Sequence, residues 1–265
     1  YFSQDLSQGI QLEEQIDYCF YCAGYAQPSK FLSNNAKTFL LNTNGLYETF
    51  NNIFKNNSSA RCIFLSSSEI YAMNETETSH KETDLLTLSL EHKRNSYIFG
   101  KIAGEMIVKD FVNSGYDAVS ARVSLCYGPG HLYDDARVMS DITRKAAGVE
   151  STIKLFDDGS ASRRYLHISD FLIMLLNVTL FGEQDVYNIG GTEETTIYKL
   201  ANIIGDKFDK SVKKGEVNND VISSAPKKVW VSLDRYEKEF GMSDFMSLDD
   251  GMENYLNWFI NVFVK

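Results

Sequence analysis

The pattern that most restricts this chain is an alternation of short, nearly all-apolar runs with longer stretches whose apolar residues recur every three or four positions. Asp17-Tyr18-Cys19-Phe20-Tyr21-Cys22-Ala23, Arg61-Cys62-Ile63-Phe64-Leu65 and Tyr116 to Leu125 read as buried strands. The second ends in Ser66-Ser67-Ser68, and the third is stopped by Gly128-Pro129-Gly130. Between them, Lys37 to Phe54 places Phe39, Leu40, Leu46, Phe50, Ile53 and Phe54 at roughly helical spacing, and Tyr97 to Val112 does so with Ile98, Ile102, Met106 and Phe111. Further helices are predicted over Val138 to Ala147 and Asp170 to Leu180. A short strand follows at Tyr187-Asn188-Ile189 before Gly190-Gly191, and a last helix runs through Tyr255, Trp258 and Phe259. Strands alternating with helices predict an α/β fold with a largely parallel sheet, because each crossover helix returns the chain to the same sheet edge.

Composition narrows the function. With 265 residues, the chain can bury one large core or two small ones, and 43% hydrophobic against 23% charged residues excludes intrinsic disorder. Only three prolines occur and no low-complexity linker, so any second domain is woven into the first. Twenty-six basic against 36 acidic residues give a net charge of −10, with no basic surplus to displace phosphate counterions; no nucleic-acid partner is expected. A local cationic pocket for one phosphorylated small molecule is still allowed. The most apolar stretch, Phe171 to Phe181, is about half the ~20 residues a bilayer span needs, so no membrane partner is expected. Tyr1-Phe2-Ser3-Gln4-Asp5 has neither a basic nor an apolar leader region, and four cysteines do not make a disulfide scaffold; a reducing cytoplasm is the expected compartment. Cys19 and Cys22, at i and i+3 of a strand, face opposite sides and read as core cysteines. The histidines at 80, 92, 131 and 167 lack metal-ligand spacing, and no metal is expected.

The chemistry-bearing constellation is Tyr97-Ile98-Phe99-Gly100-Lys101, a phenol and an ammonium on one face of a helix. A phenol with a reference pKa of ~10 becomes a usable base near neutrality if a cation stabilises its phenolate. Upstream, Ser66-Ser67-Ser68-Glu69-Ile70-Tyr71 lies at the C-terminal end of a predicted strand, the edge where open α/β sheets bind ligands. A hydroxyl there can share a substrate proton with Tyr97.

These residues resemble the extended short-chain dehydrogenase/reductase family, the NAD-dependent nucleotide-sugar epimerases and dehydratases. Asp5-Leu6 is similar to an adenine-contacting pair, Phe20-Tyr21-Cys22-Ala23-Gly24 to the F-H-L-A-A segment under the cofactor, and Asn42-Thr43-Asn44-Gly45 to an N-V-x-G-T helix start. Leu65 to Tyr71 resembles S-S/T-x-x-V-Y-G, and Tyr97 with Lys101 the catalytic pair. Arg122 to Gly130 resembles R-x-x-N-x-Y-G-P-G, Phe156 to Arg163 resembles F-G-D-G-x-Q-x-R, and Tyr187 to Gly190 resembles Y-N-(V/I)-G. The resemblance implies a Rossmann-type doubly wound parallel sheet with a smaller, interleaved C-terminal substrate-binding domain. Residues 1–125 and 163–191 would hold the dinucleotide, and residues 126–162 and 192–265 a nucleoside-diphosphate sugar.

It further implies NAD, rather than NADP, contacted by Asp5, Leu6, Cys22, Ala23, Gly24, Asn42, Ser66, Val123, Tyr97 and Lys101. Tyr97 would take the proton of a sugar hydroxyl while hydride leaves the same carbon, Lys101 would hold the nicotinamide ribose and depress the Tyr97 pKa, and Ser67 would bond the reacting oxygen. Ser68, Leu125, Phe156 and Arg163 would contact substrate, with Phe156 against the base and Arg163 on the diphosphate. The expected activity is oxidation at C4 as a 4-epimerase or 4-oxidoreductase in surface-polysaccharide or glycan precursor synthesis. The alternatives are a 4,6-dehydratase or uronic-acid decarboxylase using Glu69, and a non-catalytic sugar-nucleotide binder. A homodimer is expected through the Tyr97 helix, with Ile102, Met106 and Phe111 as its apolar face.

Departures from the family pattern are also legible. No G-x-x-G-x-x-G occurs, and an N-terminal strand, glycine loop and helix missing from this chain is the expected account, over loss of the cofactor cradle. Leu125 stands where the family has Asn, Asp157 where it has Gly, Ile98 where a small residue is usual, and Ser232 where it has Asp. Lys227 and Lys228 lie near where another cation is common.

Overall fold

The computed structural model describes residues 3–74, 78–216, 228–242 and 244–264, so Lys227 lies outside the described residues. In chain order the elements are β1 (Tyr18–Tyr21), α1 (Pro28–Ser33), α2 (Asn35–Asn42), α3 (Asn44–Asn56), β2 (Arg61–Ser67), α4 (Asn95–Asn113), β3 (Asp117–Val123), β4 (Cys126–Tyr127), α5 (Val138–Ala147) and β5 (Thr152–Lys154). They continue with β6 (Ser162–Arg164), β7 (Leu166–His167), α6 (Ile168–Phe181), β8 (Val186–Ile189), β9 (Glu194–Thr196), α7 (Ile197–Lys207), β10 (Ser211–Lys213), α8 (Asp234–Phe240) and α9 (Leu248–Phe263).

The principal sheet has the order β1-β2-β3-β8, all parallel, with Cys19 opposite Cys62, Ile63 opposite Val119, and Ala121 opposite Tyr187. Period-two alternation sends successive side chains to opposite faces. Cys62, Phe64 and Ala118 therefore pack with Leu46, Phe50, Ile53 and Phe54 of α3 and with Val108 and Phe111 of α4. Ile63, Val119 and Ala121 join Met174, Leu175 and Val178 of α6 on the other face. A separate cluster joins Met139 and Ile142 of α5, Ile153 of β5, Leu200 and Ile204 of α7, and Met252, Tyr255, Leu256 and Phe259 of α9. Local signals set the helix starts. Pro28 opens α1 at a position needing no amide donor, and Ser247 caps α9 by accepting from the Asp250 amide at 3.1 Å. Among the described residues no helix is long and apolar enough to cross a membrane, and no group of three or more His, Cys, Asp or Glu side chains could hold a metal ion.

Several expectations need correction. The strand at 17–23 is not buried throughout: Tyr18 and Phe20 of β1 are 51% and 40% exposed. The single helix over 37–54 is two, because Thr43 leaves helical geometry at φ −119°, ψ −85°. Asn42 can then end α2 fully buried, while α3 starts afresh at Asn44. Phe111 is not on an outer face of α4. It shares a buried stripe with Lys101, Gly104 and Val108, and its ring lies 5.3 Å from that of Phe54 and 6.0 Å from that of Phe50; Met106 points outward. Cys22 is exposed, just past the end of β1, so only Cys19 and Cys62 belong to the strand core, and the two share a sulfur hydrogen bond.

Candidate active site

The carboxyl ends of β1 and β2 meet the N-terminal half of α4, and most of the residues singled out from the sequence gather there. β2 ends at Ser67, whose Oγ accepts from the Glu69 amide at 3.2 Å and so starts a short 3-10 turn over Ser68–Tyr71. Tyr97 and Lys101, one helical turn apart, point back toward that strand end, and both are buried. Lys101 Nζ donates to the Leu65 carbonyl at 2.6 Å, stands 4.7 Å from the Phe64 ring centroid and 5.8 Å from that of Tyr97. Tyr97 stacks on Phe31 of α1 with ring centroids 4.7 Å apart and planes at 17°, and shares a hydrogen bond with the Ser67 side chain.

The electrostatics differ from the expectation that Lys101 lowers the phenol. Burial pushes Tyr97 up to about 12 and Glu69 raises it further, while the Ser67 hydrogen bond and the Arg94 charge act to lower it. Lys101 itself is brought down to about 7 by burial, against the opposing pulls of Cys22 and Glu105. The Lys101 ammonium is instead bonded to the Leu65 carbonyl and lies nearer the Phe64 ring than the Tyr97 ring.

A cleft of about 290 Å³ beyond the end of β1 is lined by Gln4, Asp5, Leu6, Ala23, Gly24, Tyr25, Lys37 and Leu41. Four residues expected to contact a dinucleotide, Asp5, Leu6, Ala23 and Gly24, therefore share one surface. Asp5 accepts from the Ser7 amide at 3.0 Å and pairs with Lys37 at 2.8 Å. At the inner end, a Cβ on Gly24 would stand 3.7 Å from Asn42 Oδ1 and 3.9 Å from Lys101 Nζ. Asn42 donates to the Thr38 carbonyl at 2.8 Å, and its Oδ1 is buried without a protein partner. An orphaned carbonyl oxygen beside a buried ammonium suits a ligand bearing hydroxyl groups, as a nicotinamide ribose does, so these residues fit the dinucleotide that the sequence implies.

Other expected residues are placed less uniformly. The Ser66 hydroxyl is committed to Glu105 Oε1 at 2.5 Å, and Ser68 is buried within the 3-10 turn. Val123 ends β3, while Leu125 and Phe156 are 39% and 49% exposed. Arg163 lies on β6, donates to the Ser162 carbonyl at 2.7 Å, and is close enough to Glu69 and Arg94 for their charges to act on it. Two residues not anticipated complete the centre. Arg94, just before α4, ion-pairs with Glu69 Oε1 at 2.8 Å and lies 5.2 Å from the Phe31 ring centroid. Phe31 is 1% exposed beneath it. Helical spacing was available for Arg94, one turn before Tyr97; nothing local marks Phe31 beyond the proline that starts its helix.

Comparison with known proteins identifies the family. A sequence profile of the NAD dependent epimerase/dehydratase family matches residues 3–190. The dTDP-4-dehydro-6-deoxy-D-allose reductase of Streptomyces bikiniensis is 25% identical over 197 residues, covering 73% of this chain and 60% of that protein. UDP-glucuronic acid decarboxylase 1 of Arabidopsis thaliana is 25% identical over 258 residues, 97% of this chain and 58% of its own length. The chain thus spans about three fifths of the length of these curated relatives. Among solved structures, the dTDP-glucose 4,6-dehydratase of Streptomyces venezuelae, with NAD and TYD bound, superposes with a TM-score of 0.80 at 19% identity. That match covers 93% of this chain and 74% of that one. With most of its length matched to one family, and with a parallel sheet and a Ser-Tyr-Lys centre at the sheet's carboxyl edge, this chain belongs to the NAD-dependent epimerase/dehydratase family.

Proposed function

We propose that the chain carries NAD-dependent hydrogen transfer at C4 of a nucleoside-diphosphate sugar, as a 4-epimerase or 4-oxidoreductase. The observation that carries this reading is the convergence of Ser67, Tyr97 and Lys101 at the end of β2, beside the cleft of Asp5, Leu6, Ala23 and Gly24. The dinucleotide supplies the hydride acceptor or donor when bound, with Lys101 and Asn42 at its nicotinamide ribose and the Asp5-Leu6 cleft at its adenosine. Tyr97 exchanges a proton with the C4 oxygen, and Ser67 bonds that same oxygen. In the ligand-free chain burial keeps Tyr97 protonated at neutral pH, which is the state that gives a proton to a keto oxygen. Arg163 pairs with the diphosphate, where a planar multi-donor cation is well matched, and Phe156 offers an exposed ring to the base.

The same reading divides the molecule into a dinucleotide part, residues 1–125 and 163–191, and a nucleotide-sugar part, residues 126–162 and 192–265. The distinct core of α5, α7 and α9 supports that division. It includes a homodimer through α4, now with Met106 rather than Phe111 outermost. M106E should then give a monomer in sedimentation at micromolar concentration where the parent is a dimer. A monomeric parent would end the dimer proposal.

A second reading has its own support. Glu69, two residues after Ser67, is partly buried next to Tyr97, and a carboxyl group there can serve a 4,6-dehydration or a uronic-acid decarboxylation. One experiment separates the outcomes: incubation with a panel of nucleoside-diphosphate sugars and NAD or NADPH, with products assigned by NMR. Y97F should abolish turnover by at least about a thousandfold while dinucleotide still binds; Y97F with parental kcat would overturn the reading. A parent that binds sugar nucleotide and no dinucleotide would instead be a non-catalytic binder.

A further inference from the structure

Arg94 takes part in two contacts that converge on the reacting centre. It is 7% exposed and stands three residues before Tyr97. Its Nη1 holds Glu69 Oε1 at 2.8 Å, and its guanidinium carbon lies 5.2 Å from the Phe31 ring. Phe31 is in turn stacked on Tyr97 at 4.7 Å. The other Glu69 oxygen, Oε2, is sealed from solvent and has no protein partner. A buried, unpaired carboxylate oxygen is costly unless something binds it, and the bond to Oε1 leaves Oε2 as the atom free to meet a ligand.

We propose that Arg94 is a positioning residue: it fixes Glu69 through Oε1 and seats Phe31 against Tyr97, so that Glu69 Oε2 and the Tyr97 hydroxyl face one shared volume. This inference rests on the proposed site for Glu69 and Tyr97, and it adds the group that orients them. The packing argument is specific. An arginine at the start of α4 is carried on the same rigid element as Tyr97, whereas Glu69 sits on the turn after β2, so their pairing locks the turn to the helix. A lysine there could supply charge but not a delocalised guanidinium beside the Phe31 ring together with the bond to Glu69. Burial raises the Glu69 carboxyl, and the charges of Arg94 and Arg163 pull it back down. The groups facing Glu69 are thus Arg94 and Tyr97 from the start of α4, Arg163 from β6, and Ser67 from the end of β2.

The test uses the ligand-free protein first, so that it does not depend on turnover. Carbon-13 NMR of labelled glutamate, assigned with E69Q, follows the Glu69 carboxyl titration in the parent, R94K and R94M. R94M should raise its apparent pKa by about one to two units, and R94K by less, since an opposite charge in contact is worth that much. In the loaded enzyme R94M should lower kcat about tenfold or more with KM for the nucleotide sugar changed less than about twofold, and R94K should recover part of kcat. In an E69Q background the same substitution should add less than about threefold. Two results would overturn the proposal: a Glu69 titration unmoved by R94M, or an R94M loss of kcat undiminished in the E69Q background. If R94M does not fold, R94Q, which drops the charge but keeps a donor, reads the same shift, and an unmoved titration there is equally fatal. Failure of the proposed activity looks different, because Y97F would retain turnover while the Arg94 titration effect persisted.

Discussion

Lys101 reaches the end of β2 with its ammonium buried and bonded to the Leu65 carbonyl, so the folded chain disfavours its charged form. Its pKa falls from 10.5 to about 7, chiefly through burial. Below about pH 7 both folded and unfolded chains carry the proton, and the folded state bears the cost of a buried cation. Between about 7 and 10.5 the unfolded lysine is still charged while the folded one is neutral, so the unfolded state binds more protons and stability rises with pH. Tyr97, raised to about 12, opposes this only above its ordinary value of 10, which leaves pH 7 to 9 as a clean window. The expected result is that the urea unfolding free energy of the ligand-free parent, minus that of K101M, climbs between pH 7 and 9 by up to about 1.4 kcal/mol per pH unit. A flat difference would mean that the ammonium is solvated in solution. Bound dinucleotide should weaken this slope, because hydroxyl acceptors at Lys101 favour the charged form.

The helices show how far periodicity carries and where it stops. The strand starting at Arg61, the helix at 138–147 and the Tyr97-Lys101 face were legible because each depends on spacing within one run. The same spacing extends one turn further: Tyr97, Lys101 and Glu105 lie on successive turns of one face, and all three serve the buried side of α4. The break at Thr43 was not legible, since it follows from where α2 meets α4, a contact between residues some sixty positions apart. Phe31 was hidden for the same reason, and Phe111 was misassigned because a helix's apolar residues do not say which stripe meets the sheet. Gly104 shows the constraint that spacing cannot reveal. A Cβ there would stand 2.6 Å from the Phe64 ring and 2.8 Å from the Asn42 carbonyl. Alanine is worth up to about 1 kcal/mol over glycine within a helix, yet overpacking against a backbone carbonyl costs about 1–3 kcal/mol. G104A should therefore lower the unfolding free energy despite its better propensity. By displacing Asn42 it should also weaken dinucleotide affinity more than nucleotide-sugar affinity, read by calorimetric titration of each ligand. A destabilised G104A with parental dinucleotide affinity would show that Asn42 does not have to sit where α2 leaves it.

A buried polar network ties distant parts of the chain together directly behind the reacting centre. Glu105 of α4 pairs with Arg122 of β3 at 2.7 Å and accepts from Ser66 at 2.5 Å. Arg122 also donates to the Tyr71 hydroxyl at 2.6 Å and to the Glu82 carbonyl at 3.0 Å, and Tyr71 donates to Asn188 Oδ1 at 3.0 Å. Asn188 of β8 then donates to the His80 and Ser232 carbonyls at 2.9 and 3.1 Å. The strand end that carries Ser67 is thereby fixed to α4, β3, β8 and the segment leading to α8 through side chains and backbone carbonyls spread over more than 160 positions. None of these pairings is visible in a local window, although Arg122 and Tyr71 both fall inside motifs that resembled the family. The two charges are nearly fully buried, at 9% and 13% exposure, and a stranded buried charge costs more than the intact pair contributes. R122M, which leaves Glu105 buried without its cation, should lower the urea unfolding free energy by about 3–5 kcal/mol. E105M/R122M removes both charges and keeps the Tyr71–Asn188 bond, but leaves the Ser66 hydroxyl and the Glu82 carbonyl without these partners at about 1–3 kcal/mol each, so it should recover part of that loss. If the double variant is as unstable as R122M, the network stabilises through its full set of bonds, and the cost of a lone carboxylate is not what holds this sheet edge together.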